Sequence, residues 1–195
     1  MLEKLKQLLI DEKLIREYTI STIPDSTCSS DIVVIYYDDT KKRFCTKIGI
    51  DELPSCDCLF LHMQKNEIYF IEMKRLEIVI RELKVRYTTQ HEFEKELEIK
   101  LSNLNFSNKI IDSYTLLLSI VGYYDGYKEL YSFLHSNIKK NHIKIRFFVL
   151  TDLSNEYWNL CFISNPDYLR KKVKYRFLSD SAIIRCEDLP RLLKA

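Results

Sequence analysis

The chain has 195 residues, of which 46% are hydrophobic and 30% charged, and its formal net charge is only +2. Because this length suits one domain and these apolar residues can bury a core, we expect a single domain over residues 1–195 and exclude a disordered or collagen-like chain. Apolar runs fall short of the ~18 to 20 residues of a membrane-spanning helix, and the charged N-terminus does not resemble a secretion signal. We therefore expect a soluble, cytoplasmic protein.

Six cysteines are spread thinly along the chain. A disulfide scaffold is not expected in a reducing compartment, so we predict free thiols. Cys56 and Cys58 are separated by one residue, whereas zinc-binding pairs are separated by two to four, and no second close pair accompanies them. The cysteines therefore do not predict a structural zinc site.

The first half of the chain begins with a helical pattern. Leucines and isoleucines at helical spacing predict an amphipathic helix over residues 2–18, which ends before the loop at residues 23–26. Residues 31–37 and 43–50 are β-branched and aromatic, and a polar segment separates them. This composition predicts a hairpin or two neighbouring strands.

The clearest element is a hairpin between residues 57–63 and 67–73, connected by residues 64–66. The second segment is apolar on both faces, which predicts an interior strand of the sheet. Residues 76–87 fit both the alternation of a strand and the period of a helix. Their structure is left open.

The second half contains more helix. Thr89 and Glu92 match a capping box, and the helical pattern that they open continues toward Gly122. The chain from there is predicted to form one further helix and two strands, at residues 128–139, 144–150 and 157–163, before a tail of short elements. This order predicts an α/β fold with a mixed sheet flanked by helices.

Three ionisable residues converge at the end of the predicted hairpin. Glu72 and Lys74 are two residues apart on a strand, so their side chains share one face. With a two-residue turn at Lys65 and Asn66, Asp57 lies opposite Lys74 and diagonal to Glu72. A register shifted by two residues pairs Asp57 with Glu72 instead, and only an odd shift moves Asp57 to the other face.

Two carboxylates and an ammonium group are suited to a hard divalent cation. Mg²⁺ prefers oxygen ligands and keeps several waters, and it can polarise a phosphoryl oxygen and generate a hydroxide nucleophile. Lys74 can orient a bound water or help to deprotonate it. The arrangement therefore indicates phosphodiester hydrolysis, whereas the structural alternative is a solvated strand end or a salt bridge.

Asp57, fourteen residues and then Glu72-Met73-Lys74 resemble the PD-(D/E)XK nuclease superfamily. The resemblance implies a restriction endonuclease-like core of helix, three strands, helix and strand. It also implies that Asp57, Glu72 and the carbonyl of Met73 bind Mg²⁺, with Mn²⁺ as a substitute, and that Lys74 positions the nucleophile. Cys56 precedes Asp57, where the superfamily pattern has proline.

The core implied by the resemblance covers residues 1–151, and residues 152–195 would be a C-terminal extension. Many members of the superfamily carry an acidic residue on the first helix that joins the metal site. Glu12 lies near the centre of the apolar face of the predicted first helix, so it resembles this ligand. The alternative is that Glu12 lies at the edge of the helix or pairs with a lysine.

Basic and aromatic residues alternate near the C-terminus. Such a cluster suits contacts with phosphates and stacking on unpaired bases. The predicted nucleic-acid contacts are Arg170, Lys171, Lys172, Lys174 and Arg176. A second basic cluster lies at residues 139–146, and a solvated basic face is the alternative for both.

Together these residues predict an Mg²⁺-dependent deoxyribonuclease that acts on DNA rather than RNA and does not bind a membrane. One alternative is a nuclease-like domain without catalysis that serves as a nucleic-acid or protein interaction module, and a second is a purely structural α/β domain. A homodimer would suit cleavage of both strands. Sequence specificity and the choice between endonuclease and exonuclease action are left open.

Overall fold

A mixed β-sheet with helices against it forms the centre of the protein. The computed structural model describes residues 1–24, 26, 28–140, 142–154, 156–157 and 178–194. The strands are β1 (Glu17–Thr19), β2 (Val33–Tyr36), β3 (Cys58–His62), β4 (Glu67–Lys74), β5 (Lys144–Thr151) and β6 (Leu178–Arg185). The helices are α1 (Leu2–Asp11), α2 (Tyr37–Ile48), α3 (Leu76–Arg86), α4 (Gln90–Asn103), α5 (Phe106–Tyr123), α6 (Lys128–Lys140) and α7 (Leu189–Lys194).

The six strands found in these residues follow one another in the sheet in chain order. β1 to β4 pair antiparallel, whereas β4, β5 and β6 pair parallel. Because parallel neighbours need a long crossover, helices α3 to α6 connect β4 to β5. The predicted α/β fold with a mixed sheet flanked by helices is confirmed.

β4 is the interior strand that its composition predicted. Every residue from Glu67 to Met73 is buried. Ile68 and Phe70 pack into the larger core with α1, α2, α5 and α6, and Tyr69 and Ile71 pack into a second core that includes α7. Both faces of the strand are therefore covered, as expected for a strand without a polar face.

The predicted strand at residues 43–50 is wrong, because these residues belong to α2. Tyr37, Phe44 and Cys45 are buried on one side of this helix. Lys42, Thr46 and Lys47 are exposed on the other side, and Gly49 ends the helix with a φ of 70°. A left-handed residue of this kind is a common helix terminator. The predicted strand at residues 31–37 is confirmed but is shorter, since β2 spans Val33–Tyr36.

Several predicted helices have other bounds. The first helix ends at Asp11 and β1 follows it, rather than one helix reaching residue 18. The capping box at Thr89 is confirmed, since the Glu92 N–H donates to Thr89 Oγ1 over 3.3 Å. The single helix predicted from there is two helices in the structure. α4 ends at Asn103, and Asn105, whose φ is 52°, is the N-cap residue of α5. Residues 76–87 form helix α3.

The C-terminal part of the chain contributes to the same sheet. The predictions at residues 128–139 and 144–150 are confirmed as α6 and β5. The predicted strand at residues 157–163 lies outside the described residues, apart from Tyr157. β6 pairs with β5, so residues 178–185 of the expected extension belong to the central sheet. None of the described helices is long and apolar enough to cross a membrane.

The prediction of free thiols is wrong for Cys28 and Cys186, which form a disulfide across a sequence separation of 158 residues. Cys28 lies between β1 and β2, and Cys186 directly follows β6, so the tertiary fold brings the two together. Spacing rules cannot detect a pair this far apart. Cys45, Cys56 and Cys58 are free and buried. The cytoplasmic location stays a prediction.

Reduction of the Cys28–Cys186 disulfide is expected to lower the free energy of unfolding by about 2 to 4 kcal/mol, because the bond restricts a very long loop in the unfolded chain. Urea unfolding with and without dithiothreitol measures this change. Cys28→Ser is the control, since its unfolding should not respond to the reductant. Unchanged unfolding of the wild-type protein after complete reduction would contradict the prediction.

Candidate metal centre

The hairpin of β3 and β4 sets the geometry of the candidate site. Its Cα partners run from Cys58 opposite Ile71 to His62 opposite Glu67. The connection is therefore the four residues Met63–Asn66, and Asn66 has a φ of 53°. The two-residue turn expected from the sequence is wrong, and the register is shifted by two residues.

The observed register brings the two carboxylates closer than the first expectation did. Extending the pairing by one residue places Asp57 opposite Glu72 rather than opposite Lys74. A shift of two residues keeps every side chain on its original face. Asp57, Glu72 and Lys74 therefore share one face of the sheet, at the end of a buried strand.

Glu72 is fully buried and its two oxygens have different surroundings. Lys74 Nζ lies 2.6 Å from Glu72 Oε1, and Lys109 Nζ also donates a hydrogen bond to Oε1. Glu72 Oε2 is buried without a hydrogen-bond partner in the described part of the chain. Because a buried polar atom is normally paired, this oxygen is available to a ligand.

Asp57 is held by backbone N–H groups of β4 and of the first residue of helix α2. Its Oδ2 accepts a hydrogen bond of 2.6 Å from the Met73 N–H, and its backbone carbonyl accepts one of 2.8 Å from the Tyr37 N–H. Burial, followed by repulsion from Glu72, raises the pKa of Asp57 to about 6, although Met73, Lys74 and Lys109 act in the opposite direction. This repulsion follows from the register of the hairpin, which places the two carboxylates opposite each other.

The Asp57 carboxyl should titrate near pH 6 in the metal-free protein, which ¹³C NMR of its carboxyl carbon can measure. Its folded-state pKa lies above the ordinary 3.8. The folded protein thus holds this proton more tightly than the unfolded chain does, and its stability should fall as the pH rises from about 4 to 6. Glu72→Gln should lower the pKa of Asp57, because it removes a like charge. An Asp57 pKa below 4 would contradict this prediction.

Helix α5 supports the site with two residues that the sequence reasoning missed, Lys109 and Ser113. They are four residues apart, so they lie on one face of the helix. Ser113 Oγ accepts a hydrogen bond of 2.8 Å from the Cys56 N–H, and its carbonyl accepts one of 2.9 Å from the Tyr37 hydroxyl. Ser113 therefore fixes the residue that precedes Asp57.

Lys109 contributes charge rather than backbone support. Burial lowers its pKa, but attraction to Glu72 and the hydrogen bond to that carboxylate outweigh the effect and raise the pKa overall. Lys109 is thus a stable cation at neutral pH. Its spacing to Ser113 was the only signal in the sequence, and that spacing does not show which strand the helix faces.

The structure does not group Glu12 with Asp57 and Glu72. Glu12 is the C-cap residue of α1, and its Oε2 lies 2.9 Å from Lys47 Nζ. Lys47 also donates to the Tyr124 hydroxyl over 3.0 Å. Glu12 thus has the alternative role that was considered for it, a pair with a lysine. Among the described residues, no three His, Cys, Asp or Glu side chains are arranged to hold a metal ion.

The predicted nucleic-acid contacts at residues 170–176 lie outside the described residues. In the second basic cluster, Arg146 forms ion pairs with Glu67 and Asp180, with Nε and Nη1 distances of 3.0 and 2.8 Å. Arg146 is therefore a structural residue at the opposite end of β4 from Glu72.

The oxygen atoms at the site fit a small hard cation with few protein ligands. Mg²⁺ is commonly bound by one or two carboxylates, with waters and substrate phosphates as its other ligands. The Met73 N–H points toward Asp57, and the N–H and C=O of one strand residue point to the same side. Asp57, Glu72 Oε2 and the Met73 carbonyl could therefore hold such an ion.

Comparison of the chain with family models, curated proteins and solved structures gave no match. The proposed function therefore rests on the geometry at Asp57 and Glu72. It combines paired acidic oxygens, one of them unsatisfied, with two ammonium groups at the end of a rigid strand. This chemistry suits the binding of a divalent ion beside an anionic substrate.

Proposed function

We propose that the protein is a divalent metal-dependent nuclease that hydrolyses phosphodiester bonds of DNA. One observation carries the proposal. Asp57 and Glu72 lie across from each other at the end of a buried hairpin, and Glu72 keeps an unpaired, fully buried oxygen beside the ammonium group of Lys74. In a carboxylate that forms only a structural ion pair, a buried oxygen is normally hydrogen-bonded as well.

The order of elements supports a restriction endonuclease-like core. The resemblance implies a helix, three strands, a helix and a strand. Helix α1, the antiparallel strands β2 to β4, helices α3 to α6 and the parallel strand β5 follow that order. β1 and α2 are insertions in it, and β6 extends the sheet beyond β5.

Each residue of the site has a distinct proposed role. Asp57, Glu72 and the carbonyl of Met73 would hold Mg²⁺ or Mn²⁺. The bound ion would polarise a phosphoryl oxygen and lower the pKa of a bound water. Lys74, held on Glu72 by the 2.6 Å contact, would position the attacking water. The rigid pairing of β4 with both neighbours limits the movement of these groups.

The proposed substrate is DNA, and the basic residues 170–176 are the proposed phosphate contacts. The two lysines at the site balance the charges of Asp57 and Glu72. Affinity for a polyanion must therefore come from the bound ion and from basic residues elsewhere. The alternation of these residues with Tyr168, Tyr175 and Phe177 suits stacking on unpaired bases.

The alternative function is a nuclease-like interaction module without catalysis. It is favoured by the contacts of Glu72 with both Lys74 and Lys109, since such a network can serve stability alone. In that case the protein would bind nucleic acid or another protein without a divalent ion. The two proposals therefore differ in their dependence on metal.

Incubation of the purified protein with plasmid, linear duplex and single-stranded DNA tests the function. Cleavage is expected with Mg²⁺ or Mn²⁺ and should stop when EDTA is added. The same reactions distinguish endonuclease from exonuclease action, because only an endonuclease opens the closed plasmid. DNA binding without metal-dependent cleavage would favour the interaction module, and the absence of both binding and cleavage would exclude the nuclease and a module that binds DNA.

A further inference from the structure

We propose that Lys109 is a displaceable counterion of the candidate metal centre. It neutralises Glu72 in the metal-free protein and moves to a substrate phosphate when Glu72 binds the divalent ion. This inference rests on the proposed function and adds a regulatory property to the same site. Its consequence is that the metal ion and DNA bind cooperatively.

The contacts of Glu72 are unevenly distributed between its oxygens. Lys74 and Lys109 both lie on Oε1, whereas Oε2 has no described partner. A carboxylate can accept hydrogen bonds at both oxygens, so two cations on one oxygen exceed what pairing requires. Glu72 would therefore still have a cationic partner if one of the two ammonium groups moved away.

The balance of charge shows why one cation has to move. Asp57 and Glu72 contribute two negative charges, and Lys74 and Lys109 contribute two positive ones. A divalent ion would leave two uncompensated positive charges beside the fully buried Glu72, where water reaches the partly buried lysines only on one side and screens them weakly. An approaching phosphate supplies negative charge and also a new partner for a displaced lysine.

Lys109 is better placed to move than Lys74. The backbone of Lys74 belongs to β4, where it pairs with Thr151 of β5, so its ammonium group stays beside the carboxylates. Lys109 instead reaches the site from helix α5, an element separate from the strand that carries Glu72; exposure does not distinguish the two side chains, since 24% of Lys109 and 27% of Lys74 is exposed. Its flexible four-carbon stem can turn toward solvent while the helix stays in place.

Displacement of Lys109 couples the two binding events. If DNA draws Lys109 away from Glu72, the carboxylate becomes a better metal ligand. By linkage, the bound metal then raises the affinity for DNA by the same factor. Removal of Lys109 should therefore strengthen metal binding by the free protein and weaken the coupling.

Calorimetric titration of MnCl₂ into the metal-free full-length protein tests this inference. Lys109→Met should bind Mn²⁺ roughly 10- to 100-fold more tightly than wild type, because one competing unit charge is removed. Lys95→Met, at an exposed position on the neighbouring helix α4, is the matched control and should behave as wild type. A short phosphorothioate DNA duplex should raise the Mn²⁺ affinity of wild type roughly 5- to 150-fold and that of Lys109→Met much less.

A folded Lys109→Met protein that binds Mn²⁺ no more tightly than wild type would overturn the inference. Circular dichroism verifies the fold, and Lys109→Gln replaces the Met variant if that variant aggregates. Asp57→Asn distinguishes a failure of the proposed role of Lys109 from a failure of the proposed function. If Asp57→Asn loses Mn²⁺ while Lys109→Met matches wild type, only the role of Lys109 fails. If wild type binds no Mn²⁺, or Asp57→Asn binds it as well as wild type, the proposed function fails as well.

Discussion

Asp57→Asn is expected to abolish metal-dependent cleavage and to weaken binding of Mg²⁺ or Mn²⁺ by roughly 10²-fold or more. The substitution replaces the carboxylate of a proposed ligand of a hard cation with a neutral amide of nearly the same shape. The amide oxygen can still accept the hydrogen bond from the Met73 N–H. Calorimetry and a plasmid cleavage assay measure the two losses.

The same variant should be at least as stable as wild type at pH 8. Asp57 is ionised there at a cost, since its burial and the charge of Glu72 raise its pKa to about 6. Removing the charge should raise the free energy of unfolding by on the order of 1 to 2 kcal/mol. Asp51→Asn, an exposed position in the preceding loop, is the matched control. An Asp57→Asn protein with full Mg²⁺-dependent cleavage would remove this residue from the site.

Lys74→Ala should separate catalysis from binding. Asp57 and Glu72 remain, so DNA affinity should change little and metal binding should be retained or become tighter, because one positive charge that competes with the ion at Glu72 is removed. Cleavage should fall by roughly 10²- to 10⁴-fold, the usual contribution of a group that positions or deprotonates a nucleophile. Single-turnover cleavage at saturating Mg²⁺ measures the chemical step alone.

Lys65→Ala is the matched control for this experiment, because Lys65 is an exposed lysine in the turn at the other end of the same hairpin. It removes one positive charge without touching the candidate site. A Lys74→Ala protein with wild-type cleavage would mean that the chemistry lies elsewhere. An equal loss of cleavage in Lys65→Ala would indicate an effect of net charge.

The disagreements between sequence and structure have separate physical causes. The expected strand at residues 43–50 is helical because its buried side chains recur with those of Tyr37 at helical spacing, a signal that its β-branched and aromatic composition concealed. Glu12, at the C-cap of α1, pairs with Lys47 of α2 rather than with the carboxylates of the site. In each case local composition was compatible with two structures, and packing against the sheet selected one.

Local sequence was sufficient for the elements that position the candidate site. The β3–β4 hairpin and the burial of β4 follow from two apolar runs around a polar turn, and the shared face of Glu72 and Lys74 follows from alternation along a strand. The capping box at Thr89 and the bounds of α6 and β5 are equally local, because they depend on residues within a few positions of one another.

Only the tertiary structure decided which distant groups meet. The four-residue turn set Asp57 opposite Glu72, and the packing of α5 brought Lys109 to Glu72 and Ser113 to Cys56. The disulfide between residues 28 and 186 also depends on the fold of the whole chain. Sequence periodicity shows which side of an element is buried. The residue that it meets across the core depends on how separate elements pack, and no local pattern encodes that.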